Sequence, residues 1–330
     1  MTVVIVTEAE YKKGQATFVN TPEMTFVPAS NEETFLAAAI REANARYVIL
    51  GHAQYNDDLY RALPPGSVLA RFGVGHDGID KGKATAAGIL CTNTPGTLDD
   101  SVAEHTVALL LAISRKLLPM TAAMRRGIWD QELGQEVRGS KIAVIGAGPI
   151  GRRVAAMTSA GFGMRVALCD RARAGKKTYE IPGVSVVESY EEAVADADFV
   201  SMHIPGTKEN LHFLDCERLS KLRANSWLIN TSRGSIVDEV ALYDLLARGS
   251  IAGAALDVFT VEPYVPSAPD KDLRTLDDVI LTPHVGSYTA AAVRRMAERA
   301  LRNVQMAMEG RYGEMDLLNP GVLEHLKSGL

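Results

Sequence analysis

Three polar clusters in the second half of the chain carry residue types that together could move a proton beside a reacting carbonyl. They are Asn230-Thr231-Ser232-Arg233-Gly234, Asp257-Val258-Phe259-Thr260-Val261-Glu262-Pro263 and Thr282-Pro283-His284-Val285-Gly286. Glu262 follows Arg233 by 29 residues and precedes His284 by 22. Histidine titrates near neutrality and suits general acid/base work. A carboxylate beside it favours the charged imidazole and fixes its orientation. A guanidinium can hold a carboxylate through two coplanar contacts. Taken singly, each residue has a plainer reading: Arg233 as a surface arginine, Glu262 as a helix-start residue before a proline, His284 as a strand-end histidine satisfied by backbone.

A second motif supplies the partner for such chemistry. Lys141-Ile-Ala-Val-Ile-Gly146-Ala-Gly148-Pro149-Ile150-Gly151 places three glycines between a short apolar run and a helix-compatible run, Arg152 to Ala160. In that context Gly146 makes the strand-to-helix turn, Gly148 lets backbone approach a pyrophosphate, and Gly151 lets helix and strand pack closely. The pyrophosphate would sit on the helix N-terminus, where free N–H groups and the dipole favour an anion. A further strand, Arg165 to Cys169, ends at Asp170, 19 residues after Gly151, the spacing expected of a carboxylate that binds a ribose diol. The chain is therefore read as a dinucleotide binder. Asp170 would repel a 2′-phosphate and argues for NAD(H). Arg171 and Arg173 follow it and could grip that phosphate instead, so NADP stays open. Hydride transfer to a carbonyl carbon needs a proton for the oxygen, which the His284 cluster could provide.

The elements that must position these groups alternate in kind. Strand-like segments Val3–Val6, Tyr47–Leu50, Val68–Phe72 and Ile89–Cys91 form a first α/β region, with a helix-compatible stretch at Glu32–Asn44. After the glycine motif come Val166–Cys169, Val184–Val187, Phe199–His203, Trp227–Asn230, Ala254–Asp257 and Val279–Leu281. Strands alternating with helices imply parallel, doubly wound sheets. The clusters that follow the strands would then face one crevice at their carboxyl ends. Between the regions, Val102–Ile113 reads as a strongly apolar helix capped by Asp99 or Asp100, which must be buried between domains or against a second subunit. The stretch Asp99 to Arg126 that holds this helix is expected to be broken by Pro119, and a last helical run covers Ala290–Met308. Residues 9 to 31 are long for a βα connection and read as a decorated surface loop, with a lid or dimer arm as alternatives.

Composition limits the partners. The chain has 330 residues, 47% hydrophobic and 23% charged, with a net charge of −5, which fits two ordinary globular domains and gives no basic block for nucleic acid. The start lacks the basic end and longer apolar run of a signal peptide, and the apolar stretches fall short of a membrane span, so a cytoplasmic protein without membrane contact is expected. Cys91, Cys169 and Cys216 show no metal-type spacing and are expected to fill core space in a reducing compartment. No metal site is expected.

The motifs together resemble the D-isomer-specific 2-hydroxyacid dehydrogenases, over about Ala45 to Pro320. Besides those above, the matching stretches are Phe72-Gly-Val-Gly-His-Asp-Gly-Ile-Asp80, Asn93-Thr-Pro-Gly96, Val102-Ala-Glu-His105, Met202-His-Ile-Pro205 and Gly253-Ala-Ala-Leu-Asp-Val258. The resemblance implies a Rossmann nucleotide-binding domain (99–288) inserted into a flavodoxin-like substrate domain (1–98 and 289–330), with a hinge near residues 98 and 288 and catalysis in the cleft. It implies Arg233 as substrate anchor, Glu262 as partner of the catalytic histidine, and His284 as general acid/base. The N–H groups of Val74 and Gly75 would hold the substrate carboxylate, and His76 could line its pocket. Cofactor contacts would come from Gly146, Gly148, Pro149, Ile150, Gly151, Asp170, Arg171, His203, Pro205, Thr231, Ser232, Asp257 and Gly286, with Asp257 on the nicotinamide amide. Taken alone, His203 and His105 read as structural histidines, and Trp129 as a packing residue.

Substrate expectations follow from the same comparison. Glu262 favours hydroxyacid over formate chemistry, and Val74 stands where phosphite-oxidising relatives carry lysine. The segment Leu50-Gly-His-Ala-Gln-Tyr55 lacks the arginines with which phosphoglycerate-type relatives bind phosphate, and no long regulatory domain is expected after residue 330. Asn93-Thr-Pro-Gly-Thr-Leu-Asp-Asp100 is similar to glyoxylate/hydroxypyruvate reductases. The expected reaction is reduction of a small 2-oxo acid to the D-2-hydroxyacid by NADH, or NADPH, in a homodimer. The alternatives are a phosphoglycerate dehydrogenase and an NAD(H)-sensing, corepressor-like binding protein.

Overall fold

Runs such as Val3-Val-Ile-Val6 and Lys141-Ile-Ala-Val-Ile145 are apolar on both alternating faces, which suits strands covered by helices on both sides. The computed structural model describes residues 1–170 and 181–327, in two units: Met1–Leu98 with Tyr288–Leu330, and Asp99–Ser287. The first unit contains β1 (Thr2–Thr7), α1 (Glu8–Phe18), β2 (Met24–Ala29), α2 (Glu33–Glu42), β3 (Tyr47–Leu50), α3 (Asp58–Ala62), β4 (Val68–Arg71), α4 (Lys81–Ala86) and β5 (Leu90–Thr92). The second contains α5 (Asp99–Ser114), α6 (Leu117–Arg125), β6 (Lys141–Ile145), α7 (Pro149–Ala156), β7 (Arg165–Cys169), β8 (Val184–Val187), α8 (Tyr190–Val194), β9 (Phe199–Met202), α9 (Cys216–Leu219), β10 (Trp227–Asn230), α10 (Glu239–Ala247), β11 (Gly253–Leu256) and β12 (Val279–Leu281). The chain then returns to the first unit with α11 (Ala290–Met308) and α12 (Val322–Lys327).

The first unit's sheet is parallel, in the order β2-β1-β3-β4-β5. On one face Ile5, Val48, Leu50 and Leu69 pack with Leu36 and Ile40 of α2 and Leu59 of α3. α11 packs against α1 and β4. Asn319 ties the returning segment to the sheet: its Oδ1 accepts from the Cys91 N–H at 2.9 Å and its Nδ2 donates to Ile89 O at 2.9 Å.

The surface loop expected at residues 9 to 31 is instead a helix and an edge strand. α1 begins directly after β1, and β2 pairs with β1 in parallel from Thr2↔Met24 to Thr7↔Ala29. Phe18, 2% exposed, stacks on Phe26 with ring centroids 4.9 Å apart. The signals were weak for physical reasons. α1 is mostly polar and buries Glu10 and Gly14, and β2 contains Pro28, which an edge strand tolerates because one row of N–H groups needs no partner.

The second unit's sheet is also parallel, in the order β12-β11-β10-β9-β6-β7-β8. Period-two alternation of β6 feeds two cores. Ala143 and Ile145 join one with Tyr190 of α8 and Leu242 of α10. Ile142 and Val144 join the other with Val154 of α7 and Leu109 and Leu110 of α5. The apolar helix α5 is thus covered by its own unit's sheet. Asp99 and Asp100 sit in its first turn rather than capping it, and both pair with Arg153 of α7. Three strands end one residue earlier than expected, at Arg71, Met202 and Leu256, so that His203 and Asp257 already belong to loops. Cys91 and Cys169 are buried as expected, but Cys216 is exposed, because it opens the short surface helix α9.

Candidate active site

The order of the second sheet reverses beside β6, whose neighbours are β7 and β9. Ligands in open α/β sheets bind outside the carboxyl ends of strands at such a switch point. The glycine loop lies there. Gly146 has φ +111°, and a Cβ on it would come within 2.5 Å of the His203 carbonyl oxygen. At Gly151 a Cβ would come within 2.0 Å of Gly146 O, so only hydrogen fits where helix meets strand. Gly148 differs: nothing lies within 4 Å of where its Cβ would point, the open space a pyrophosphate needs. Pro149 and Ile150 begin α7, with proline in the first turn, where its missing N–H costs nothing.

Beside that loop is a cavity of about 350 Å³, lined among others by Gly146, Asp170, Tyr190, Ile204, Pro205 and Phe213. Its walls, ring faces and aliphatic edges with Asp170 at the end of β7, suit an adenine and its ribose. Glu188 and Glu191 also line it. Arg218, the cation among the described lining residues, lies over the Phe213 ring at 4.6 Å and donates to Phe213 O at 3.1 Å. Residues Tyr190, Phe213, Glu188, Glu191 and Arg218 were not foreseen, because they come from the connections after β8 and β9 and the short helices α8 and α9, with no motif of their own. Arg171 and Arg173 lie outside the described residues.

The three catalytic candidates sit on loops that follow β10, β11 and β12, adjacent parallel strands, so all three loops leave the same edge. The loop after β10 is shaped by Asn230, buried, whose side chain donates to Arg233 O at 2.8 Å and accepts from Ser232 N at 3.0 Å and Ser232 Oγ at 2.9 Å. Thr231 is fixed to Thr106 of α5 by a 2.8 Å hydroxyl contact. Glu262 and His284 meet directly: Nδ1 of His284 lies 2.6 Å from Oε2 of Glu262, with side chains 30% and 19% exposed. The other carboxylate oxygen of Glu262 accepts from Phe259 N at 3.0 Å, which fixes the acid's orientation.

Asp257 organises the loop after β12. It is 1% exposed and accepts from Thr282 Oγ1 at 2.6 Å, Val285 N at 2.9 Å and Gly286 N at 2.8 Å, with His105 Nε2 3.3 Å away. Burial alone would raise its pKa, but the bonds from His105, Thr282, Val285 and Gly286 outweigh it and hold the carboxyl below its ordinary value. The backbone of His284 also bonds to Asp257, N–H to O at 2.8 Å, in a left-handed conformation with φ +52°. Asp257 therefore clamps the turn that presents His284, a positioning role the motif comparison did not reveal. His105 finds its structural place on the same carboxylate. Val74, Gly75 and His76 lie in the first unit, on the loop between β4 and α4.

Residues 107–286 match the profile of the D-isomer specific 2-hydroxyacid dehydrogenase, NAD binding domain. The chain is 38% identical over 289 residues to the glyoxylate reductase of Thermofilum pendens, covering 86% of this chain and 83% of that one. Among solved structures, the D-lactate dehydrogenase from Aquifex aeolicus complexed with NAD and lactic acid superposes with a TM-score of 0.84 at 27% identity, covering 96% and 99% of the two chains. The NADPH-dependent glyoxylate/hydroxypyruvate reductase of Sinorhizobium meliloti, in complex with NADP and malonate, gives 0.79 at 29% identity, covering 92% and 93%. Together with a doubly wound sheet, a glycine loop at its switch point and a histidine–carboxylate pair, these likenesses define a nicotinamide-dependent oxidoreductase. The chain belongs to the D-isomer-specific 2-hydroxyacid dehydrogenase family. Its cofactor is NAD(P), and its chemistry the reduction of 2-oxo acids.

His203, the residue on which Gly146 and Gly151 pack, is only partly exposed, and burial of its imidazole pushes its pKa down to about 4. Its Nε2 lies 2.8 Å from Ser201 Oγ. An unfolded histidine takes up its proton near 6.5, the folded one only near 4, so between these values the unfolded state binds more protons. Stability of the second unit therefore falls as pH falls through that window, by roughly 3 kcal/mol from this group. Both tryptophans, Trp129 and Trp227, lie in that unit and report its unfolding. Urea titrations followed by tryptophan fluorescence at pH 7 and 4.5 should show a smaller acid destabilisation in His203→Asn than in the wild type. Parallel losses in the two proteins would remove His203 as the source.

Proposed function

We propose that this enzyme reduces a small, unphosphorylated 2-oxo acid, glyoxylate or hydroxypyruvate, to the D-2-hydroxyacid with NADH, and runs the reverse oxidation. The observation that carries the reading is the 2.6 Å contact of His284 Nδ1 with Glu262, on a turn held by a buried carboxylate. Bound NADH supplies the hydride for C2 of the substrate. With Nδ1 engaged by Glu262, the His284 imidazolium gives its Nε2 proton to the carbonyl oxygen, and the Glu262 carboxylate stabilises the charged ring before transfer. Arg233 holds the substrate carboxylate and polarises the carbonyl, and the N–H groups of Val74 and Gly75 are assigned to the same carboxylate. Gly148, Pro149 and Ile150 are assigned to the pyrophosphate, Asp170 to the adenosine ribose, and Thr231, Ser232, Asp257 and Gly286 to the nicotinamide half. His203 and Pro205 are assigned to the wall of the nucleotide site.

The substrate choice is supported by relatives named as glyoxylate or glyoxylate/hydroxypyruvate reductases. It is supported also by a Leu50–Tyr55 segment without arginine or lysine, which leaves no guanidinium or ammonium there for a phosphate. NADH over NADPH is supported by the carboxylates of Asp170, Glu188 and Glu191 around the adenosine cavity, which would repel a 2′-phosphate. A homodimer is supported by the apolar surface of residues 117–133, where Leu117, Met124, Ile128 and Trp129 are exposed. Among the described residues no single helix is long and apolar enough to cross a membrane. We assign the enzyme to the cytoplasm on composition.

Steady-state kinetics test both parts. His284→Ala should lower kcat for glyoxylate by about 10²-fold or more, while the Kd for NADH, read by nucleotide fluorescence, stays within about twofold because the ring serves chemistry rather than binding. Turnover near the wild-type value would remove His284 as the proton donor. Asp170→Ser should raise the NADPH-to-NADH ratio of kcat/KM about tenfold or more, since removing one repelled or bonded group is worth at least about 1.4 kcal/mol. An unchanged ratio would show that Asp170 does not read the ribose.

A further inference from the structure

The connection from β11 to β12 carries Glu262, and around that residue it has few apolar anchors. Phe259 is buried, and Tyr264 lies against its ring with centroids 4.8 Å apart. Val261 and Val265, on either side of Glu262, are exposed. A surface stretch of this kind keeps one shape only where its polar groups are tied down.

The tie comes from the segment after β10. Asp238 caps α10 by accepting from Val240 N at 3.1 Å and Ala241 N at 3.0 Å. Glu239 is the first residue of that helix, where the dipole favours an anion, and is 6% exposed. Its Oε1 accepts from Thr260 N at 2.6 Å and its Oε2 from Ser267 Oγ at 2.6 Å, so one carboxylate spans the stretch on both sides of Glu262. Further along α10, Asp244 accepts from Lys271 Nζ at 2.7 and 2.6 Å.

The peptide between Phe259 and Thr260 is thereby fixed by two contacts. Glu239 takes its N–H, and Gly234 packs on it so closely that a Cβ there would come within 1.9 Å of the Phe259 carbonyl carbon. The preceding N–H, that of Phe259, goes to Glu262 Oε1 at 3.0 Å. Consecutive backbone N–H groups thus bond to two different carboxylates, and Glu239 holds still the donor that orients Glu262.

We infer that Glu239 is a positioning residue for proton transfer: by holding Thr260 and Ser267 it keeps the Glu262 carboxylate on Nδ1 of His284. Its effect on the reaction runs through Glu262 alone. This rests on the reading, given above, that Glu262 and His284 deliver the proton.

The test is single-turnover reduction of glyoxylate by the whole enzyme preloaded with NADH, with the NADH Kd read by nucleotide fluorescence. Glu239→Ala removes both bonds. Glu239→Asp keeps the charge at the helix start but draws its oxygens back by one carbon–carbon bond, and it decides the question should the alanine variant fail to fold. Each should slow the transfer on the order of tenfold, with the Kd for NADH within about twofold of the wild type. Glu239→Gln should recover the rate, because its amide oxygen still accepts from Thr260 N and its NH2 can donate to Ser267 Oγ. In a Glu262→Gln background no anion faces Nδ1, so Glu239→Asp should slow the transfer no further. A wild-type rate in Glu239→Asp would overturn the inference. So would a further loss of about tenfold in the double variant, which would show Glu239 acting elsewhere than through Glu262. A wild-type rate in Glu262→Gln would instead remove the pair itself, and with it the reading on which the inference rests.

Discussion

A carboxylate that is 1% exposed loses its hydration, at a cost of several kcal/mol unless the protein replaces it. Asp257 is compensated by a hydroxyl, two backbone N–H groups and the His105 imidazole, and the bonds are strong enough to keep it ionised below the ordinary carboxylate range. Hydrogen bonds to a charged acceptor contribute about 1.5–3 kcal/mol each. That is enough to hold the Thr282–Gly286 turn in a shape that includes a histidine at φ +52°, where a side chain costs roughly 1–2 kcal/mol. The geometry of His284 is thus set from beneath by Asp257 and from the side by Glu262, before any substrate arrives.

Parallel topology does the rest of the assembly in the second unit. Because every strand in its sheet runs the same way, the loops after β6, β7, β9, β10, β11 and β12 emerge at one edge. Each carries one polar function: the glycine turn, Asp170, His203 and Pro205, Arg233, Glu262 and His284. The chain order of these groups is scattered, yet the sheet order, with its reversal beside β6, sorts nucleotide groups and catalytic groups along a single rim.

Much of this was legible in the sequence because it rests on local pattern. Apolar runs of four or five residues marked the buried strands, and the glycine spacing carried its own steric reason, seen in the 2.0 Å approach at Gly151. What stayed hidden depends on tertiary partners. The 8–29 segment builds a helix and an edge strand that its polar residues and Pro28 disguise. Asp257 matched a motif, but its part as the clamp of the His284 turn needs the register of β11 against β12. The cavity walls at Tyr190 and Phe213 come from the start of a short helix and from a connection, neither with a signature. Cys216 has the composition of a core residue and lies on the surface, since a four-residue helix has little face to bury.

The account turns on the charge that Glu262 lends to His284, and the most direct test keeps the shape and removes the charge. In Glu262→Gln the amide oxygen can still accept from Phe259 N, but no anion faces Nδ1. Single-turnover reduction of glyoxylate by enzyme preloaded with NADH should slow about 10²-fold, with the affinity for NADH unchanged. A transfer rate equal to that of the wild type would contradict the pair as the proton-delivering centre.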